Sequence, residues 1–284
     1  MNVRWALGGV AAVIVAVLVI AGAVPVLHSE AKAHRTDPGV SPGTAPGTSH
    51  TTGPAQHVVV AFGDSVPSGA ACSCNPFPSI YGSLLRERTG ADVTVHNYGV
   101  SGLDTNGLLA QLKQPKVVDD ARQADVFLVT IGANDFEDHH DQVVEGICAT
   151  PGTATCVDGE IDSMRANLSK ALSDIRSLRN GKPTSVLVTG YWNVFEDGQV
   201  ARRASGNAGL QASIQLTRRV NTTIQAVANR AGARYVDLFA PFQSHGRGID
   251  QLMAPDGDHP DAAGHRLIAD TLLDAGLPRM STTP

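Results

Sequence analysis

The stretch VVVAFGDSVPSGA, residues 58–70, decides how this chain folds. A short apolar run of three valines and Phe62 bounded by a turn signal reads as a buried strand over 57–62. Gly63-Asp64-Ser65 then stops the run and leaves a small hydroxyl at its carboxyl end. Ser and Asp are favoured helix N-caps, so capping is one reading of Ser65. The other is a nucleophile held on a tight strand-to-helix turn, with Ser68, Gly69 and Ala70 leaving space beside it. The turn is not the G-x-S-x-G elbow of the α/β-hydrolases.

Outward from this strand, the hydrophobic pattern alternates between periods of two and 3.6. Strands are predicted at 92–99, 125–132, 184–192 and 233–239. Helices are predicted at 78–90, 103–112, 160–181, 210–232 and 262–276. Five strands alternating with helices imply an α/β fold: a parallel sheet covered on both faces, a three-layer α/β/α sandwich. Ligands in such folds bind beyond the carboxyl ends of the strands. The turns at Ser65, at 97–102 and at 132–135 all follow strands and therefore share that rim.

A serine hydroxyl needs a base before it attacks. His259 in APDGDHPDAAGH is the best candidate for that base, and Asp256, three residues earlier, can reach one ring nitrogen and leave the other for Ser65. Asp258 is the poorer orienter because adjacent side chains diverge. The alternative reading is an acidic loop whose Asp258 and Asp261 cap the last helix. An oxyanion needs donors. HNYGVSGLDT, 96–105, offers backbone N–H groups at a glycine-rich turn, with Gly102 opening the next helix, and TIGANDFEDHH, 130–140, offers the side-chain amide of Asn134. Trp192 and Phe195 follow a strand and could line an acyl pocket, and the loop 241–255 could form part of the cleft or a lid. His96 and Asp237 read as structural. The acidic, histidine-containing run DFEDHHD, 135–141, could instead bind a divalent ion, but adjacent histidines rarely face one ion and a solvated loop is the plainer reading.

These four segments resemble the ordered blocks of the SGNH hydrolase superfamily, the GDSL esterases and lipases. FGDSVPSGA resembles its first block, NYGVSG the second, IGANDF the third and DGDHP the fifth, over residues 60–260. The resemblance implies a flavodoxin-like SGNH hydrolase fold with Ser65 as nucleophile, His259 as base and Asp256 as its orienter. It implies an oxyanion hole of the Ser65 N–H, the Gly102 N–H and the Asn134 amide, and ester hydrolysis through an acyl-serine intermediate, with no cofactor and no metal. Acyl transfer or deacetylation on cell-envelope sugars or lipids, and a non-catalytic surface binding module, are the alternatives. Pro67 and the Cys72/Cys74 pair depart from the first block and alter the pocket wall.

The 284 residues carry a net charge of −5 and no long basic run, which argues against nucleic acid as a partner. A monomer acting on a small-molecule, lipid or sugar ester is expected. Residues 5–27 are continuously apolar; a membrane span needs roughly 20 such residues. Residues 1–27 are thus a signal peptide or an N-terminal membrane anchor, with A-x-A cleavage patterns at 21–23 and 31–33. Residues 28–56, rich in Pro, Gly and Thr, read as a disordered linker ahead of a hydrolase domain at 57–280. Both readings of the N-terminus make the domain secreted or anchored outside the cytoplasm. Cys72, Cys74, Cys148 and Cys156 suggest disulfides in an exported chain, with all three connectivities open. A metal site is the rival reading, weakened because C-x-C has no His close by in sequence.

Overall fold

The computed structural model describes residues 55–147, 156–246 and 248–276, all within the unit Thr51–Pro284. The apolar segment 1–27, nearly all of the linker and Cys148 lie outside the described residues. Among the described residues no helix is long and apolar enough to cross a membrane.

Five parallel strands form one sheet in the order β2-β1-β3-β4-β5. They are β1 (Gln56–Gly63), β2 (Asp92–Gly99), β3 (Val126–Thr130), β4 (Ser185–Thr189) and β5 (Arg234–Val236). Gln56, read as the last linker residue, is the first residue of β1. Central strands buried on both faces are nearly continuous apolar runs: all five residues of β3 are buried, four of them apolar, and Val59 to Phe62 of β1 are fully buried. Each such Val or Phe contributes roughly 1.5–3 kcal/mol relative to exposure. The edge strand β2 is more exposed along its length.

The helices are α1 (Ser65–Ser68), α2 (Phe77–Thr89), α3 (Thr105–Gln111), α4 (Pro115–Ala121), α5 (His140–Val144), α6 (Asp158–Arg179), α7 (Gly198–Ala204), α8 (Gly206–Arg230), α9 (Phe239–Gln243) and α10 (Ala262–Asp274). α2 packs on β2 and α10, while α6 packs on α3, α4 and α8. The two groups supply the outer layers of the three-layer sandwich. Two helix ends stand where their end signals do: α10 is capped by Asp261, which accepts the N–H groups of Ala263 and Gly264, and α2 ends at Gly90 in the left-handed region.

Several predicted segments differ in extent; the strand at 233–239 shortens to Arg234–Val236, and Phe239 already opens α9. The strand at 184–192 ends at Thr189, because the Asn221 side chain of α8 takes over both backbone groups of Tyr191, at 2.9 Å and 2.8 Å, and turns the chain out of the ladder. The helix at 210–232 begins four residues earlier, at Gly206. Gly209 belongs to it because a Cβ there would lie 2.5 Å from the Val144 carbonyl oxygen; here glycine serves close packing and not a break. Gly102 does not open α3. It sits in a turn with φ +76°, and Asp104 caps the helix.

Candidate active site

In a sheet of this order the strand connections reverse direction between β1 and β3, which opens a crevice at their carboxyl ends. Ser65 follows β1 and Asn134 follows β3, so the fold places both at that crevice. The close approach of the two strands explains Gly63: a Cβ there would lie 1.8 Å from the Thr130 carbonyl oxygen. The neighbouring Asp64 N–H bonds that same carbonyl at 3.2 Å.

Asp64, not Ser65, caps α1. Its Oδ1 accepts the Val66 N–H at 2.9 Å and its Oδ2 accepts the Tyr191 hydroxyl. Ser65 stands at the first helical position, half-buried. Its carbonyl accepts the Ser68 hydroxyl at 2.7 Å and the Ala70 N–H at 3.1 Å. The backbone of the turn is thus held by groups other than the Ser65 hydroxyl. The second turn joins here: Val100 N–H bonds the Gly63 carbonyl at 3.0 Å, and the Asn97 amide bonds the Pro67 carbonyl at 2.6 Å.

His259 arrives from the far end of the domain. A backbone bridge between Met253 and Pro260 and the bond from Ala254 N–H to the His259 carbonyl, 2.8 Å, pinch residues 254–259 into a tight loop. Asp197 N–H ties that loop to the segment after β4 through the Gly257 carbonyl, at 2.8 Å. Within it, Asp256 Oδ1 accepts the N–H groups of Asp258 and His259, each at 3.0 Å, and Oδ2 lies 2.9 Å from His259 Nδ1. Asp258 Oδ2 lies farther from the same nitrogen, at 3.6 Å. Asp261 alone caps α10.

Ser65, Asn134 and His259 line one cleft of about 210 Å³. Its walls are Tyr191, Trp192, Val194 and Phe195 after β4, with Glu137, His140, Glu196 and Asp258 also lining it. Trp192 and Phe195 were expected there from their place after a strand. The loop 241–255, expected at the cleft, contributes no lining residue; its Met253, Ala254 and Pro255 line a separate depression beside Cys72 and Cys74. Gly102 is exposed on the adjoining turn and is not a lining residue. Asn134 opens a 3₁₀ turn, Asn134–His139, and spends one amide hydrogen on the Leu103 carbonyl at 2.9 Å. An amide carries two, so one hydrogen remains.

The run 135–141 does not converge on a point. Asp135 accepts the N–H and hydroxyl of Thr105, His139 lies 3.5 Å from Glu160, and His140 bridges Asp141 at 3.1 Å and Glu196 at 3.0 Å. Glu196 and Tyr191 were not singled out from the sequence, and Glu137 and His140 stood out only as members of the candidate ion-binding run 135–141. Only the position of Tyr191 at the end of a strand pointed toward the cleft.

Burial and hydrogen bonding sort the carboxylates. Burial works against the charge of Asp256, but bonds from the His259 N–H, the His259 ring and the Asp258 N–H outweigh it and hold the carboxyl below its ordinary range. Desolvation, with added repulsion from Glu196, Asp256 and Glu137 against the attraction of His259, pushes Asp258 up to about 6. Asp64 is raised to about 7, because desolvation outweighs the bonds from Tyr191 and Val66. The folded protein therefore holds a proton on Asp64 that the unfolded chain, with its ordinary value near 3.8, releases. Folding stability should fall as pH rises from about 4 to about 7, by on the order of 4 kcal/mol from this group. Asp64→Asn is expected to remove that part of the pH dependence. Urea unfolding of both proteins from pH 4 to pH 8 measures it, and parallel curves would refute it.

Known proteins share this fold. The model of the GDSL-like lipase/acylhydrolase family matches residues 61–267. The chain is 23% identical over 232 residues to the spore germination lipase LipC of Bacillus licheniformis, covering 78% of this chain and 96% of that protein. Among solved structures, the lipase Lip_vut3 from a goat rumen metagenome aligns with a TM-score of 0.62 at 20% identity, over 78% of this chain and 99% of that one. The acetylxylan esterase Axe2 of Geobacillus stearothermophilus aligns with a TM-score of 0.56 at 16% identity, over 78% and 94%. At such identities the structural matches speak for the fold, and the family match covers most of the chain. A five-stranded sheet in this order, a serine at the end of its first strand and a family match that runs from β1 into α10 lead to one conclusion: the chain belongs to the GDSL-like lipase/acylhydrolase family and is a carboxylic ester hydrolase.

Proposed function

We propose that the protein is an exported serine esterase that cleaves small carboxylic esters through an acyl intermediate on Ser65. The observation that carries this reading is the shared cleft. Ser65 and His259, from opposite ends of the domain, line one small cavity, and the His259 ring is oriented from behind by Asp256. With Nδ1–H held by Asp256, the Nε2 lone pair of His259 takes the Ser65 proton as Oγ attacks the ester carbonyl. Asp256 supports the imidazolium that forms. The spare hydrogen of the Asn134 amide and the N–H of Ser65, both of which line the cleft, stabilise the tetrahedral oxyanion. The imidazolium then protonates the departing alcohol, and water repeats the sequence in reverse roles to free the acid.

The size of the cleft, about 210 Å³, favours a short acyl group over a fatty acyl chain. Removal of acetyl or similarly short groups from sugars or lipids of the cell envelope suits it. Export is supported by the apolar stretch 5–27 and by the disulfide between Cys72 and Cys74, since disulfides persist in oxidising compartments. A series of nitrophenyl esters from acetate to palmitate tests the proposal. Acetate and butyrate should turn over readily and palmitate far more slowly. Preference for palmitate would overturn the short-chain reading, and failure to hydrolyse any member would overturn the esterase itself.

A further inference from the structure

Cys72 and Cys74 are disulfide-bonded in the loop between α1 and α2, with Cα atoms 5.2 Å apart. In sequence this C-x-C pair has no histidine near it. The fold supplies one from α10: ligand atoms of Cys72, Cys74 and His265 all lie within 4.8 Å of one another.

His265 is poorly explained as a hydrogen-bonding core residue. It is fully buried, its Nε2 has no partner among the described residues, and its Nδ1 accepts only a long bond, 3.3 Å, from Phe77 N–H. That bond fixes the ring as neutral with its proton on Nε2, the charge state a metal requires. It also leaves Nδ1 as the nitrogen with a lone pair. Phe77 N–H belongs to the first turn of α2, where no intrahelical acceptor is needed, so the helix does not depend on this bond. The half-buried cysteines border an open depression of about 470 Å³, lined also by Met253, Ala254 and Asp261, which provides an entry path.

We propose that Cys72, Cys74 and His265 form a thiol-gated site for a thiophilic d¹⁰ metal ion, with zinc as the reference ligand. Two thiols of a small-molecule reductant give up two electrons and two protons, leave as their own disulfide, and free the Cys72 and Cys74 thiols. On binding, both thiols release their protons to solvent and two thiolates and one imidazole hold the ion. The sulfurs must part to roughly 3.8 Å for tetrahedral ligation at about 2.3 Å, a movement confined to a three-residue segment of exposed loop. A disulfide closing so short a loop restrains the unfolded chain less than a long-range one, so its opening leaves the domain folded.

The test uses the full chain. Reduction by a water-soluble phosphine, which becomes the phosphine oxide with oxygen from water, avoids a competing thiol ligand. Zinc binding is read by competition with a chromophoric chelator, and cobalt in its place reports thiolate ligation through a near-ultraviolet charge-transfer band. One zinc per reduced chain is expected, with none on the oxidised chain. Cys72→Ser/Cys74→Ser should abolish binding, and His265→Gln should weaken it about tenfold or more. Cys148→Ser/Cys156→Ser should leave it intact, which separates this pair from the other cysteines. Equal binding by the oxidised chain, binding that survives Cys72→Ser/Cys74→Ser, or no binding by the reduced chain would overturn the site. Should His265→Gln fail to fold, the cobalt spectrum of the reduced wild type decides: an imidazole-free, two-sulfur spectrum overturns the assignment of His265.

Discussion

Ser65→Ala is expected to lower kcat for a short-chain ester by about 10⁴-fold or more while leaving stability unchanged within about 0.5 kcal/mol. The two halves of this expectation have separate causes. Activity falls because no other hydroxyl replaces the attacking oxygen. Stability holds because nothing structural rests on that oxygen: Asp64 caps α1, and it is the Ser65 carbonyl that accepts Ser68 and Ala70. Alanine keeps the carbonyl, the N–H and the Cβ. Steady-state kinetics and thermal unfolding on the same preparation check both. A variant that keeps a large part of the wild-type rate would remove Ser65 from the chemistry, and a variant that loses its fold would show that the hydroxyl has a structural duty the geometry does not reveal.

Asp256→Asn is expected to cost about 10³–10⁴-fold in kcat. The asparagine oxygen can still accept the N–H groups of Asp258 and His259, which Asp256 Oδ1 holds at 3.0 Å each, so the loop keeps its shape. Its NH₂ group, however, now faces His259 Nδ1 where Oδ2 stood at 2.9 Å. A donor there selects the imidazole with its proton on Nε2, and that form cannot accept the proton of Ser65. Asp258, at 3.6 Å from the same nitrogen, is the residue that could compensate. Asp258→Asn alone should therefore cost far less, and the double variant more than Asp256→Asn. Kinetics of the three variants decide the matter, and the reverse order would transfer the orienting role to Asp258.

The strands were legible because a fully buried parallel strand is apolar along nearly all its length, as 59–62 and 126–129 are. Helix ends were legible where glycine at 90 and aspartate at 261 set them locally. Ser65, Asn134, Asp256 and His259 stood out because each occupies a turn next to such an element in a motif of defined order. Less was readable where a distant partner decides the backbone. The exit of β4 depends on Asn221 of α8, and the cleft wall that follows it on Thr217, which accepts no pattern rule but bonds Val194 N–H at 3.0 Å. The extra helices α1, α4, α5, α7 and α9 are short, and segments of that length lack enough periodic positions to register.

By itself the sequence determined the layered α/β architecture, since periodicity and end signals are local properties that each segment carries with it. It also pointed to Ser65, Asn134, Asp256 and His259 as candidates for acyl chemistry, because their types and order survive separation along the chain. Tertiary structure alone decided that Ser65 and His259 line one cleft, that Asp64 lies buried beside Tyr191, and that His265 lies against Cys72 and Cys74. These are proximities between residues more than a hundred positions apart, created by how α10 and the turn after β4 pack against the sheet, and no local pattern encodes them.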